Sequence, residues 1–196
     1  MANALTLEEK LRTGAVRRWH IVPMAREQSI AEHMYRVTVI AEEILRVLGR
    51  FDWNSNHTLN VMRLAFIHDQ HEVKTGDIPS PAKYKLQGVA GFDVVAAVER
   101  NIDSEYAELA ALPGCVEIVT LADTLEAMDH LALYGVGPRA REVWDTMHDT
   151  IASKVEKIVT RASLQPSQAL ALLKICETCC LSAVERGWAQ IEDASE

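Results

Sequence analysis

The spacing of apolar residues constrains this chain most strongly, because it follows the period of an α-helix through most of the sequence. Val37, Ile40 and Ile44 recur on one helix face, and no segment alternates apolar and polar residues with the period of a strand over a useful length. The 9 glycines and 6 prolines fall between the segments of helical period. We therefore predict an all-α fold.

Capping signals and helix breakers set the bounds of the predicted helices. Thr6-x-x-Glu9 and Ser29-x-x-Glu32 are capping-box patterns, which are typical of helix starts. The first predicted segments are a short helix from Thr6 toward Arg12, a loop over 15–28 and a helix over 30–48. A third helix carries His68 and ends near Gly76, and a rigid loop follows from Asp77 to Pro81. A fourth helix includes Val94 and Tyr106 and closes at Leu112-Pro113-Gly114, a fifth begins near Cys115 and carries Asp123, and two last helices cover 139–162 and 167–189.

Length and composition predict a single domain over residues 1–196, because 48% of the residues are hydrophobic, enough for one packed core. The net charge of −8 disfavours binding to a nucleic-acid polymer or an anionic membrane, so positive charge must be local wherever an anion binds. No apolar run approaches the ~18 residues that span a bilayer, and the N-terminus lacks a signal-peptide core. We therefore expect a cytoplasmic, soluble protein with reduced cysteines.

Three polar residues of the third predicted helix can converge on one point. Asp69 follows His68 directly, and Glu72 lies four residues after the histidine. Imidazole and carboxylate together suit a divalent cation, which would also compensate the charge of an interior carboxylate. A helix end with a solvated acidic face explains the same three residues without a metal, so the pattern alone is weak.

Two further residues strengthen the metal interpretation. The capping box places His33 near the start of the second helix, on the face of its apolar residues, where the helix dipole favours a neutral imidazole. Asp123 lies in an apolar helix, where a bare carboxylate needs a partner. His33, His68, Asp69 and Asp123 therefore form a plausible metal cage with positions open for water and substrate. A buried histidine that only packs in the core remains the alternative for His33.

The order of these residues resembles the HD-domain metal-dependent phosphohydrolases. The further pattern of Thr75-Gly-Asp77-Ile-Pro79-x-Pro81-x-Lys83, with Arg18-Trp19 before Ala31-Glu-His33, is similar to the bacterial 5′-deoxynucleotidases and to the related phage dATP triphosphohydrolases. The motifs lie within about 17–130. The resemblance implies an HD-type helical bundle with the metal site between helices, which the C-terminal helices over 139–189 complete.

The resemblance also implies roles for individual residues. His33, His68, Asp69 and Asp123 match the metal ligands of the family. Glu72 matches a carboxylate that orients or deprotonates the attacking water, and Asp77 matches an acid near the phosphate. These two residues are the catalytic candidates, and a surface acid and a helix-stop acid are the alternatives.

Substrate-binding candidates lie in and after the N-terminal loop. Five basic residues and no acid occur between Lys10 and Arg26. In the family the residue matching Arg18 holds phosphate, and Lys83 lies beside the acids. The resemblance places Trp19 against the deoxyribose, and Ile21 and Pro79 at the base edge, where an apolar wall excludes a 2-amino purine.

We therefore expect a metal-dependent hydrolase of 5′-deoxynucleotides, with dATP and its cleavage to deoxyadenosine and triphosphate favoured. A 5′-deoxynucleotidase that releases phosphate from deoxynucleoside monophosphates is the first alternative, and a non-catalytic nucleotide sensor is the second. Zinc, cobalt, manganese or iron could fill the ligand set, and further ions could bind on the phosphates. The resemblance also implies a homo-oligomer, dimer or hexamer, in the host cytoplasm if a phage encodes the chain.

Overall fold

The computed structural model describes residues 4–162 and 164–192, and within these ranges every regular element is a helix. The prediction of an all-α fold is therefore confirmed. None of the helices in these ranges is both long and apolar enough to cross a membrane. The helices are α1 (Leu7–Leu11), α2 (Ile30–Val47), α3 (Asn56–Ile67), α4 (Glu72–Thr75), α5 (Ser80–Ala90), α6 (Val94–Ile102), α7 (Ser104–Ala110), α8 (Cys115–Tyr134), α9 (Gly137–His148), α10 (Ile151–Ala162) and α11 (Pro166–Glu192), with a 3₁₀ turn over Arg12–Gly14 after α1.

Helix α8 forms the centre of the bundle, because its apolar residues cover several faces and are buried on all of them. Helices α2, α3, α9, α10 and α11 pack around it. The fully buried side chains Leu121, Leu125 and Met128 lie within the main hydrophobic core. Any polar residue of α8 that faces a neighbouring helix is thus positioned from inside the core.

The third predicted helix ends earlier than its periodicity indicates. Helix α3 stops at Ile67, and His68 and Asp69 lie in a turn that leads into the short helix α4. Hydrogen bonds from the backbone N–H of residues 70 and 72 to the carbonyl groups three residues earlier tighten this turn. The predicted helix end at Gly76 matches the end of α4, where the backbone has φ of 69°.

Two predicted helices are each divided in the structure, and the prediction was wrong there. Asp103 separates α6 from α7, and its side chain accepts hydrogen bonds from the backbone N–H groups of Glu105 and Tyr106. The segment 139–162 breaks between α9 and α10, where the Thr150 hydroxyl donates to the Met147 carbonyl at 2.7 Å. Such local side-chain bonds compete with the helical hydrogen bonds without needing glycine or proline.

Helix α5 is absent from the prediction, and the predicted loop from Asp77 to Pro81 ends inside it. Ser80 and Pro81 form the first turn of α5. Proline fits there because the first helical N–H groups have no intrahelical partner.

The predicted loop over 15–28 is irregular, as expected, and hydrogen bonds fix it to the bundle. Isolated bridges join Arg17 to Ser29 and Met24 to Gly135. The backbone N–H of Arg18 donates to the Gln28 carbonyl at 3.0 Å. The loop thereby lies across the start of α2 and the end of α8, next to the turn that carries His68.

Candidate active site

Two imidazoles face each other between α2 and the turn after α3. The Nδ1 atom of His33 lies 2.6 Å from a carboxylate oxygen of Glu126, and the Nδ1 atom of His68 lies 2.8 Å from the Ala65 carbonyl oxygen. Both partners are acceptors, so each Nδ1 carries the proton and each Nε2 presents a lone pair in the neutral ring. The two Nε2 atoms are 3.2 Å apart. Two lone pairs at this distance repel unless a positive charge lies beside them.

Two carboxylates complete this cluster. The Asp69 Oδ2 atom lies 3.3 Å from His33 Nε2, and the Asp123 Oδ1 atom lies 3.2 Å from the same nitrogen. The ligand atoms of His33, His68 and Asp123 all lie within 4.8 Å of one another. This arrangement of two imidazole nitrogens and two carboxylates fits a divalent cation of the zinc, cobalt, manganese or iron type.

The charges of the cluster depend on each other. Burial disfavours a charged His33, but hydrogen bonds with Asp123, Asp69 and Glu126 raise its pKa to about 10. Without a cation beside it, His33 is therefore favoured in its protonated form by three carboxylates, against the effect of the helix dipole. Burial opposes ionisation of Asp69 too, yet the two histidines hold its pKa well below the usual value. A cation at Nε2 would take the place of the His33 proton as the compensating charge.

Sequence reasoning missed Glu126, which is hydrogen-bonded to His33, and Gln28, which donates to Glu126. Both side chains are fully buried. The Gln28 amide donates to Glu126 Oε1 at 2.7 Å, and Arg36 Nε lies 3.0 Å from the same oxygen. The sequence contains one signal for Glu126, since it lies three residues after Asp123 on the apolar helix α8, where a charge requires a partner.

The structure places both predicted catalytic acids at the cavity beside the cluster. Glu72 is 4% exposed, and its Oε2 atom is buried without a hydrogen-bond partner among the described residues. Burial and the neighbouring carboxylates Asp69 and Asp77 raise the pKa of Glu72 to about 9. Asp77 accepts a hydrogen bond from the backbone N–H of Trp19 at 3.3 Å, which ties the α4–α5 loop to the N-terminal loop.

The two predicted phosphate-binding residues reach the same cavity. The guanidinium of Arg18 lies 3.8 Å from Asp123 and 3.9 Å from Glu126. Burial opposes its charge, but Asp69 and Asp123 raise the pKa of Arg18. Its Nη1 atom is buried with no hydrogen-bond partner among the described residues, so a donor remains for a ligand oxygen. The Lys83 ammonium lies 3.9 Å from Glu99.

Trp19 is held in an uncommon conformation at the cavity. It is the non-glycine residue with positive φ in the described ranges, at 68°, a value that costs of order 1–3 kcal/mol. Its Nε1–H donates to Gln28 at 2.9 Å, and its ring stacks on the buried His130 with 7° between the planes. Ile21 is half-exposed, and Pro79 is half-buried at the start of α5.

One cavity of about 400 Å³ joins these residues, a volume typical of small-ligand pockets. Of the predicted site residues, Arg18, Trp19, Ile21, Asp69, Glu72, Asp77, Pro79, Lys83 and Asp123 line it. His33 and His68 lie behind its wall, next to Asp69 and Asp123. Helices α9 and α10 supply a further wall that sequence reasoning did not assign, formed by Arg139, Val143, Thr146, Met147, Thr150 and Lys154.

Comparisons with known proteins identify relatives of this chain. A family model described as 5′-deoxynucleotidase YfbR-like matches residues 9–130. A dATP triphosphohydrolase of cyanophage S-2L is 31% identical over 161 residues, which cover 80% of this chain and 87% of that protein. A 5′-deoxynucleotidase of Shewanella oneidensis is 27% identical over 124 residues, which cover 56% of this chain and 64% of that protein.

A solved structure shares the fold. The HD phosphohydrolase of cyanophage S-2L, bound to dA and one catalytic Zn²⁺ ion, superposes with a TM-score of 0.77 at 27% sequence identity. The match covers 92% of this chain and 99% of that one. The likeness therefore includes the C-terminal helices α9 to α11, for which the sequence held no diagnostic motif.

Proposed function

The chain belongs to the YfbR-like 5′-deoxynucleotidase family of HD-domain phosphohydrolases, and from this premise we propose that it is a metal-dependent dATP triphosphohydrolase. The reaction converts dATP and water to deoxyadenosine and inorganic triphosphate. The observation that carries the proposal is the pair of Nε2 atoms, 3.2 Å apart with both Nδ1 atoms already bonded, beside a cavity that presents both carboxylates and cations. The phage relatives with the same named activity support the choice of dATP.

His33, His68, Asp69 and Asp123 would hold the metal through the atoms described above. When bound, a divalent cation supplies Lewis-acid polarisation of the α-phosphate and activation of water. Asp69 and Asp123 are lowered in pKa by the neighbouring histidines, after the opposing effect of burial, and therefore remain ionised as ligands. Glu126 fixes the His33 ring so that Nε2 faces the cluster.

Glu72 is the group that holds the proton of the attacking water. Its Oε2 atom has no other hydrogen-bond partner among the described residues, so this oxygen is available to accept the proton. Without a cation at the cluster, burial and the carboxylates Asp69 and Asp77 raise the pKa of Glu72 to about 9, so the group is neutral at pH 7. A cation held by Asp69 would favour the ionised form, which is the form that accepts a proton. Asp77 positions the N-terminal loop through its bond to the Trp19 backbone and adds negative charge beside Glu72.

Arg18 and Lys83 bind phosphate oxygens. Arg18 offers the buried Nη1 donor, which lies 3.9 Å from Glu126, while its Nη2 atom lies 3.8 Å from Asp123. Lys83 lies on the first turn of α5, beside the acids of the α4–α5 loop. Charge-assisted hydrogen bonds of this kind are about twice as strong as neutral ones, and they hold the substrate against the net negative charge of the protein.

Trp19, Ile21 and Pro79 bind the nucleoside. The hydrogen bond from Nε1 to Gln28 and the stack on His130 fix the Trp19 ring, so one ring face can lie against deoxyribose. Ile21 and Pro79 offer apolar surface to the base edge, where an exocyclic 2-amino group would lose its hydrogen bonds.

Product analysis tests this proposal. The purified protein is incubated with Co²⁺ or Mn²⁺ and, in separate reactions, with dATP, dGTP, dAMP and ATP, and the products are separated by chromatography. Deoxyadenosine with inorganic triphosphate from dATP is the expected result. The Asp69→Asn variant serves as the matched control for contaminating phosphatases, because it removes one ligand with little change in volume. Absence of turnover with every substrate would favour a nucleotide sensor.

A 5′-deoxynucleotidase is the second candidate, favoured by the description of the family model and by bacterial relatives of that name. Phosphate released from dAMP, with dATP left intact, would establish it in place of the first.

We also infer a homo-oligomer, a dimer or hexamer. Large apolar side chains on and after α5, including Tyr84, Val89 and Phe92, are exposed in the single chain, and such surfaces commonly pack in assemblies. Light scattering coupled to size-exclusion chromatography measures the mass directly. The cytoplasmic location and the single domain over residues 1–196 stay predictions from the sequence.

A further inference from the structure

The wall formed by α9 and α10 differs in charge from the opposite side of the cavity. It presents two cations, Arg139 and Lys154, and no acid. The opposite side presents the acids Asp69, Glu72 and Asp77 together with the cations Arg18 and Lys83. An anionic group that extends beyond the metal ligands is therefore attracted toward the α9–α10 side.

Lys154 lies in the first turn of α10 and is half-buried. Its ammonium donates a hydrogen bond to the hydroxyl of Thr124, the residue that follows Asp123 on α8. The Thr124 hydroxyl itself donates to the Thr120 carbonyl at 2.9 Å, so its oxygen is free to accept from the lysine. A lysine ammonium has three N–H donors, and this contact uses one of them. Among the described residues, no carboxylate oxygen forms an ion pair with Lys154.

Lys83 is in the opposite situation, although it lines the same cavity. Its ammonium lies 3.9 Å from Glu99, and burial is outweighed by Asp69, Glu72 and other acids, which raise the pKa of Lys83. Burial and, to a smaller degree, the ammonium of Lys157 lower the pKa of Lys154, and Asp123 acts against that effect. Lys83 thus has a carboxylate partner, whereas Lys154 has none among the described residues and keeps N–H donors for a ligand.

From this contrast we propose that Lys154 binds the phosphates beyond the α-phosphate of a deoxynucleoside triphosphate, and so makes the site prefer triphosphates to monophosphates. The inference rests on the proposed function, because it takes the α-phosphate to lie at the metal ligands. The α-phosphate is shared by dATP and dAMP, so Arg18 cannot distinguish them. A cation on the basic wall contacts only the part that dAMP lacks.

Competitive inhibition tests the role of Lys154. The inhibition constants of inorganic triphosphate and of deoxyadenosine are measured against dATP for the metal-loaded wild type and for Lys154→Met. Methionine keeps most of the length of the side chain and removes its charge. We expect the constant for triphosphate to rise about tenfold or more, the effect of one lost charge-assisted contact, while the constant for deoxyadenosine stays within twofold. Lys154→Arg should restore most of the triphosphate binding.

Lys157→Met is the matched control, because Lys157 lies three residues later on α10, is exposed and does not line the cavity. It should leave both constants unchanged. If Lys154→Met changes both constants equally, or neither, the inference is overturned. If the wild type does not hydrolyse dATP, the proposed function fails separately, and calorimetric titration of inorganic triphosphate into the two metal-loaded proteins still decides whether Lys154 binds the polyphosphate.

Discussion

Glu126→Gln is the substitution that most directly examines how the proposed metal ligand His33 is held. Both oxygens of Glu126 act as acceptors, Oε1 from Gln28 and Arg36 and Oε2 from His33. Glutamine keeps the shape but replaces one oxygen with a donor. If the new amide nitrogen faces His33, the imidazole must move its proton to Nε2, the atom that would bind the metal. If the amide nitrogen faces Gln28 and Arg36, its N–H groups point at the N–H groups of those two residues, and buried donors are left without an acceptor.

The size of the stability loss depends on which partners of Glu126 keep another contact after the substitution. Arg36 keeps its ion pair with Asp129, and Gln28 keeps its bond to Trp19, so the loss of folding free energy is about 2 kcal/mol. A loss of this size lowers Tm by about 4–8 °C in a chain of this length. Metal affinity should fall about 10- to 100-fold, as is typical when the partner of a histidine ligand is removed.

Two measurements test these values. Zn²⁺ affinity is obtained by competition with a chromophoric chelator, and Tm of the metal-free protein by circular dichroism. Glu43→Gln, the same change at an exposed position of α2, should alter neither quantity. A Glu126→Gln protein that binds Zn²⁺ as tightly as the wild type would refute the argument that Glu126 sets the His33 tautomer.

Three further outcomes are expected. Burial lowers the pKa of His130 to about 4, below the ordinary 6.5, so the unfolded chain binds more protons than the folded chain between these pH values. The free energy of unfolding should therefore fall by up to about 3 kcal/mol as the pH drops from 6.5 to 4. Urea unfolding across this range should show a smaller fall for His130→Phe. Zn²⁺ at a hundredfold excess over its Kd should stabilise the fold by about 2.7 kcal/mol, and EDTA should reverse the rise in Tm, whereas an unchanged Tm would exclude a cation at this cluster. Ile21→Ala should raise kcat/KM for dGTP relative to dATP about tenfold, and an unchanged ratio would show that the base edge lies elsewhere.

The sequence predicted the helical fold because capping boxes and glycine breaks are local signals. Ser29 begins α2 as predicted, and its side chain accepts from the Glu32 backbone. The breaks at Asp103 and Thr150 were missed because the Asp103 side chain caps the start of α7 and the Thr150 hydroxyl bonds back to Met147, contacts that only the folded backbone shows. Helix α5 was missed because two prolines near its start resemble a loop.

The candidate site likewise contains residues that local sequence patterns predict and residues that they do not. The four predicted ligand residues lie together in the structure. They could be predicted because each belongs to a motif with fixed local spacing and the family resemblance joins these motifs. Gln28 and Lys154 carry no such spacing. Their positions depend on how the N-terminal loop and α10 pack on α8, which is a property of the whole bundle. A search for polar residues near Asp123 on apolar helices would have found Glu126 but neither of these.

The buried contacts connect the two halves of the site. Trp19 donates to Gln28, Gln28 to Glu126, and Glu126 accepts from His33, with distances of 2.9, 2.7 and 2.6 Å. Each donor in this chain meets an acceptor, so none of the three bonds can be inverted without leaving a buried group unpaired. The orientation of the Trp19 ring and the direction of His33 Nε2 are therefore fixed by one network. The Trp19 ring and the His33 imidazole are thus held by the same chain of hydrogen bonds, although the two residues do not touch.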